Sequence, residues 1–175
     1  MLRVSTTIIA VFYLAACTPS DIPSAPQFGA ASSKSSNSAA NQTRPWSGRC
    51  EGTAGPVDPT TIHIVGDCNI THLGRSTVDG TEIILPNATG FDLSASNTYT
   101  AANGDRLYTH SVGTAQFKPD YSGVTFSGVE TVTGGTGRFA NATGSATRVG
   151  STRFSDGSGS WVNIGTLAYS ASDKN

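Results

Sequence analysis

Four residues of this 175-residue chain have side chains suited to holding a polar group or moving a proton: His72, Arg75, His110 and Glu130. All four lie in or beside predicted strands, from which they would line the mouth of a barrel. If the two histidines and Glu130 converged inside, they would bind a polar head group or act as general acid and base. Because successive side chains of a strand point to opposite faces, only one of His72 and Arg75 can point inward in a regular strand. The alternative is that each histidine is exposed or hydrogen-bonded in a structural role, so the catalytic residues stay unassigned.

Other kinds of site lack the residues they need. No serine stands in a nucleophile-elbow motif and no HExxH sequence occurs, which is unfavourable for a hydrolase. The cysteines do not form a CxxC pair, and His63 and His72 lack ligand-like spacing, so we expect no metal and no cofactor. A formal net charge of −1 gives no electrostatic footprint for nucleic acid, which we exclude as a partner.

The first sixteen residues have the pattern of an export signal. Arg3 precedes an apolar stretch from Ile8 to Ala16, which is too short to span a bilayer, and we expect no transmembrane segment. The sequence Leu14-Ala15-Ala16-Cys17 resembles the lipobox of bacterial lipoproteins. That resemblance implies cleavage before Cys17, attachment of lipid to it, and anchoring in the bacterial cell envelope. Thr18 favours the outer membrane over the inner. The alternative is an ordinary secretory signal.

The remaining chain divides into a tether and one folded domain. Residues 17–45 are mostly Ser, Ala, Pro, Asn and Thr, which predicts a flexible, lipidated linker before a β-barrel domain at 46–175. Assigning Cys17 to lipid leaves Cys50 and Cys68 in an exported, oxidising compartment. We therefore predict a disulfide between them. Two free buried thiols are the alternative.

The domain is predicted to be all-β. Apolar residues recur at two-residue spacing, and 20 glycines and few charged residues disfavour helices. Turn residues separate the segments, and Asp79-Gly80 is predicted to be a tight hairpin. The predicted strands are 61–65, 69–78, 81–85, 98–101, 106–117, 124–133, 145–154 and 161–170.

Short connections between these strands imply antiparallel pairing. Closing the sheet removes its unpaired edges, so we expect a small antiparallel closed barrel of about eight strands, with a β-sandwich as second choice. Several strands, such as the one with Ile83 and Ile84, are apolar on both faces. Apolar residues on the outer face would suit a homo-oligomer.

The segment from Thr131 to Ala146 is the most distinctive motif. It resembles the GGTGxFxxAxG segment of dirigent proteins and other allene oxide cyclase-like barrels. Its glycines permit positive φ at a sharp corner, and Phe139 is the large residue available to plug the barrel there. The motif residues are Gly134, Gly135, Gly137, Phe139 and Gly144.

Three functions are compatible with this resemblance, which covers roughly residues 68–170. The first is a lipid-anchored envelope barrel that binds a hydrophobic small molecule or an envelope partner without catalysis. The second is a cyclase-like or isomerase-like enzyme, because plant members steer or cyclise reactive hydrophobic intermediates; their catalytic residues are not recognisable here. The third is a structural or interaction module. A barrel filled with side chains would favour the structural or interaction module. An open apolar cavity with convergent titratable groups would favour the enzyme.

Overall fold

The computed structural model describes residues 42–170, which form a closed antiparallel barrel of eight strands in chain order. The predicted all-β barrel is therefore confirmed. The predicted signal peptide, Cys17 and most of the tether lie outside the described residues. The strands are β1 (Gln42–Asp58), β2 (Thr61–Ile70), β3 (Gly74–Pro86), β4 (Gly90–Ala101), β5 (Arg106–Phe117), β6 (Gly123–Gly135), β7 (Thr143–Arg153) and β8 (Ser158–Tyr169).

Alternate residues of each strand face the barrel interior. Along β8, Trp161, Asn163 and Leu167 are buried whereas Ile164 and Thr166 are exposed or half-buried. This two-residue period follows from the pleat, which points successive side chains to opposite faces. Ile84 accordingly faces inward while Ile83 is exposed. Within the described residues, no helix is long and apolar enough to cross a bilayer.

One end of the barrel is filled with large side chains. This closed end carries the β2–β3, β4–β5 and β6–β7 connections together with the first residue of β1 and the last of β8. Apolar side chains inside it exclude solvent and form most of the core. The core residues at this end include Trp46, Ile70, Leu73, Tyr99, Leu107, Val132, Phe139, Leu167 and Tyr169.

The glycine-rich motif forms the corner between β6 and β7. Gly134 and Gly137 have φ angles of 127° and 55°, and a one-turn 3-10 helix over Gly137–Phe139 follows. Phe139 is fully buried, with its ring 5.1 Å from that of Tyr169. A side chain at Gly137 would collide with the Asp105 carboxylate. These positions agree with the interpretation of the motif as a fold feature.

The amino-terminal half differs from the predicted strands. The predicted strand over 69–78 is wrong: β2 ends at Ile70, and β3 begins at Gly74 after a turn in which His72 has a φ of 72°. The predicted Asp79-Gly80 hairpin is also wrong, because β3 continues through it. Gly80 faces inward, where an added Cβ would meet the Asn97 side chain. Strand β1 was not predicted and begins before the expected domain start at Trp46.

The predicted disulfide is present. Cys50 in β1 and Cys68 in β2 are directly opposite each other in the strand register and are bonded to each other. Both residues are buried inside the barrel. The bond therefore crosslinks two adjacent strands near the junction between the closed core and the rest of the interior.

Candidate functional site

The other end of the barrel holds a cavity of about 550 Å³. It extends inward from the end that carries the β1–β2, β3–β4, β5–β6 and β7–β8 hairpins. Its walls come from inward positions of several strands and are mostly apolar. Among the wall residues are Ile62, Ile64, Ile84, Leu93, Phe126 and Trp161. A concave apolar space of this size suits a small molecule.

Four charged side chains line this cavity: Glu82 from β3 and Arg148 from β7 are buried, whereas Arg153 and Asp156 are exposed at the β7–β8 hairpin. The Arg148 guanidinium lies 5.1 Å from the ring centroids of both Phe126 and Trp161. Its Nη1 donates a hydrogen bond of 3.3 Å to Ser111 Oγ. No carboxylate among residues 42–170 forms a salt bridge with it. The cation is held mainly by aromatic faces and one hydroxyl.

Two buried hydrogen-bond donors beside the cavity have no acceptor. They are Nε of Arg148 and Nε1 of Trp161, for which the described part of the chain provides no partner. A buried donor without an acceptor costs about 1–3 kcal/mol, so such groups usually meet a ligand or water. Both residues contribute to the cavity wall. The arrangement is suited to a bound molecule with an oxygen acceptor.

Burial raises the pKa of the Glu82 carboxyl, with the Arg148 guanidinium acting against this rise and the Glu130 carboxylate adding to it. Because the folded pKa exceeds the ordinary value of 4.5, the contribution of Glu82 to stability is fully present below pH 4.5. It is lost as the pH rises through the folded pKa. Neutral Glu82 can donate a hydrogen bond into the cavity, which the carboxylate cannot.

We therefore expect Glu82→Gln to be more stable than the wild type at neutral pH, because the amide has no charge to desolvate. The two proteins should approach the same stability near pH 4. Urea unfolding between pH 4 and pH 8 measures the difference in the free energy of unfolding between Glu82→Gln and the wild type. Glu51→Gln, at an exposed position of β1, is the control and should follow the wild-type curve. A stability difference that becomes smaller as the pH rises would contradict a raised pKa for the Glu82 carboxyl.

A polar layer separates the cavity from the closed core. Glu130 on β6 is fully buried, and its Oε1 accepts hydrogen bonds from Tyr99 Oη at 2.9 Å, Thr109 Oγ1 at 2.5 Å and Asn97 Nδ2 at 3.3 Å. Asn163 Nδ2 in turn donates to Tyr99 Oη at 3.3 Å. Burial, followed by the Glu130 charge, raises the pKa of Tyr99, which keeps this phenol a donor. The layer fixes the floor beneath the cavity.

Of the four side chains proposed from sequence, only Glu130 lies inside the barrel. His72 is in the β2–β3 turn at the closed end, where its Nε2 is 2.9 Å from the Pro45 carbonyl oxygen. Arg75 and His110 are exposed on β3 and β5. The four side chains therefore do not converge. His72 has the hydrogen-bonded structural role that was its alternative.

Sequence reasoning missed Glu82 and Arg148. Glu82 shares strand parity with Gly80 and Ile84, and Arg148 shares it with Ala146, all of which face inward. A charged residue at an inward position of a strand was the available signal. The incorrect hairpin at Asp79-Gly80 concealed it for Glu82, because it shortened the strand to 81–85.

No family model matches the chain, and no curated protein matches it. Two solved structures that resemble it are both pterocarpan synthase dirigent proteins. The first has a TM-score of 0.54 at 12% identity, covering 78% of this chain and 90% of the dirigent chain. The second has a TM-score of 0.49 at 11% identity, covering 75% and 97%. The first similarity shows that this chain has the closed eight-stranded barrel fold of a dirigent protein.

Proposed function

We propose that the protein is a lipid-anchored component of the bacterial cell envelope whose barrel binds a hydrophobic small molecule bearing an anionic or strongly accepting oxygen. The observation that carries this proposal is the apolar cavity of about 550 Å³ with Arg148 in its wall. The walls would remove the apolar body of the ligand from water. The ligand oxygen would accept hydrogen bonds from Arg148 Nε and Trp161 Nε1, for which the described residues provide no acceptor.

The charge on Arg148 supports an anionic group over a neutral one. A buried cation is costly unless it is paired, and this one has two aromatic faces and the Ser111 hydroxyl. A hydrogen bond to a charged group contributes about 1.5–3 kcal/mol, or roughly 10–100-fold in affinity. The body of the ligand would bind without that contact, although less tightly.

Two fluorescent probes separate these contributions. N-phenyl-1-naphthylamine is neutral and apolar, and anilinonaphthalene sulfonate has a similar aromatic body with an anionic sulfonate. We expect Arg148→Met to weaken sulfonate binding by about 10–100-fold and to leave neutral binding within about threefold. Arg75→Met removes an exposed arginine and should change neither affinity. Equal losses for both probes, or for both variants, would contradict the assigned role.

The anchor is a proposal supported by the lipobox-like sequence that ends at Cys17. Several acyl chains on one cysteine suffice for stable anchoring. Intact mass spectrometry of the natively purified protein should show acylated Cys17, and fractionation should place it in the membrane, with the outer membrane expected. An unmodified Cys17 in a soluble product would overturn the anchor while leaving the barrel proposal intact.

The second candidate is a cyclase-like or isomerase-like enzyme. It is favoured by one observation, the burial of the Glu82 carboxyl group and the Arg148 guanidinium in the wall of the same apolar cavity. Neutral Glu82 would donate its proton to the substrate and become a carboxylate, and it would regain a proton from another substrate atom as the ring closes or the double bond moves. Arg148 would stabilise negative charge that develops on a substrate oxygen during this transfer. Conversion of the ligand that copurifies with the protein, followed by mass spectrometry, tests this. Turnover that is lost in Glu82→Gln would support it, and an unchanged ligand would support binding alone.

The unfilled open end is unfavourable for a purely structural module. A homo-oligomer remains a prediction, supported by exposed apolar residues on neighbouring outer strands. Val112 and Val129 are directly opposite each other in β5 and β6, and both are exposed. Such a patch on the outer wall would be buried by a second copy. Light scattering across a concentration series tests this prediction.

A further inference from the structure

The end of the barrel that carries the cavity also carries a ring of exposed apolar side chains, which we call the mouth rim. Its members lie at or beside the four hairpins that surround the cavity: β1–β2, β3–β4, β5–β6 and β7–β8. The mouth rim consists of Val57, Leu85, Phe117, Tyr121 and Phe154, with exposed fractions of 65%, 53%, 38%, 73% and 53%.

The closed end has no comparable ring among the described residues. The large apolar side chains of its connections, Leu73 and Phe139, are buried. The three connections at the closed end form without exposed large apolar residues, so turn formation does not require the apolar residues at the mouth. Exposed aromatic and aliphatic side chains at every hairpin of one end indicate a surface that is covered by something apolar.

The mouth rim is continuous with the cavity. The Phe117 ring lies 5.4 Å from that of Phe91, 5.8 Å from that of Tyr121 and 6.3 Å from that of Phe154. Phe91 and Phe154 also line the cavity wall. An apolar molecule that enters between the hairpins would therefore pass directly from the apolar mouth rim to the apolar cavity wall.

Charges at this end do not favour an anionic partner. The carboxylates of Asp58, Asp120 and Asp156 each accept a hydrogen bond from a backbone amide two residues ahead, at 2.8, 3.1 and 2.9 Å. They are thus satisfied within their own turns. Lys118 and Arg153 do not outnumber them, so the mouth has no basic patch for an anionic surface.

We propose that the mouth rim docks on the interface of a zwitterionic lipid bilayer, so that apolar ligands pass between the membrane and the cavity. A ring of side chains around one end fits a flat surface, and tyrosine and phenylalanine are suited to the headgroup region. Docking itself does not require ligand binding, although the route for ligands rests on the function proposed above.

The proposed anchor permits this orientation. β1 begins at the closed end, so docking of the mouth requires a segment between Cys17 and Gln42 that is long enough to span the barrel. At about 3.4 Å per residue, these 42 − 17 = 25 residue steps extend to about 85 Å. Strands of 12 residues, such as β4, β5 and β8, are about 40 Å long before tilt. The tether is therefore long enough for the mouth to meet the bilayer that holds the lipid.

Depth-dependent quenching tests the docking in the full chain. Tyr121→Trp places a tryptophan on the mouth rim, and Ile164→Trp places one at an exposed position of the outer wall. Trp46 and Trp161 are buried and are common to both variants. With phosphatidylcholine vesicles brominated on their acyl chains, we expect at least about twofold stronger quenching of the added fluorescence in Tyr121→Trp than in Ile164→Trp.

Each of four results would overturn the proposal. The first is equal quenching of the two variants, and the second is quenching of neither. The third is docking that appears only when anionic phosphatidylglycerol is added, since the mouth has no basic patch. Adding Phe117→Ser and Phe154→Ser to the Tyr121→Trp variant should abolish the quenching of its added tryptophan, and no loss would also overturn the proposal. Probe binding without vesicles reports the cavity separately, so failure of docking is distinguishable from failure of ligand binding.

Discussion

Phe139→Ala is expected to destabilise the barrel by about 3–5 kcal/mol. Phe139 is fully buried at the closed end, its ring packs 5.1 Å from that of Tyr169, and the Arg138 guanidinium lies 4.9 Å from its centroid. The one-turn helix that carries it is held by the corner glycines, so the backbone cannot easily collapse into the space left behind. Truncation therefore combines lost apolar burial with a cavity.

Chemical denaturation measures this loss, and Phe154→Ala is the matched control. Phe154 has the same side chain but is half exposed at the open end, so we expect a loss below about 1 kcal/mol. Binding of N-phenyl-1-naphthylamine to folded Phe139→Ala should persist, because the polar layer lies between Phe139 and the cavity. Similar losses in both variants would show that Phe139 does not plug the barrel.

Removing the disulfide is expected to cost about 3 kcal/mol. The bond joins Cys50 to Cys68 with a sequence separation of 18, and a closed loop of that length contributes about this amount by restricting the unfolded chain. For Cys50→Ala with Cys68→Ala, the Tm should fall by roughly 10 °C. Calorimetry with and without reductant gives the measurement.

The reductant supplies the control for this prediction. It should lower the Tm of the wild type toward that of the double variant and leave the double variant unchanged. A wild type whose Tm does not respond, while its thiols become titratable, would show that the crosslink adds no stability. The chain would then depend on strand pairing and the closed core alone.

The carboxy-terminal half of the fold was largely predictable from sequence. The strand over 106–117 has the predicted bounds, because strong turn signals at 103–105 and 118–120 lie directly on either side of it. Strand β1 was not predictable in the same way. It contains Pro45 and Pro56, and its extended form depends on pairing with both β2 and β8, which local sequence does not encode.

The same physical reason limited the prediction of the site. The Asp79-Gly80 pair is a strong local hairpin signal, but the glycine is used here to admit the Asn97 side chain from the neighbouring strand. Once β3 runs through this pair, strand parity places Glu82 inside. Glu130, proposed from sequence as a pocket residue, lies inside the barrel in the polar layer and is not part of the cavity wall. Its separation from His110 depends on the cross-strand register, which local sequence does not encode.

Equilibrium titration with N-phenyl-1-naphthylamine measures whether the open-end cavity binds an apolar molecule. Leu93→Trp, in the cavity wall, would fill this space, and Ile164→Trp adds the same side chain to the outer wall. We predict one saturable site in the wild type and in Ile164→Trp, and an affinity at least about tenfold weaker in Leu93→Trp. Unchanged binding in folded Leu93→Trp, or no saturable binding in the wild type, would show that the open-end cavity is not an apolar binding site.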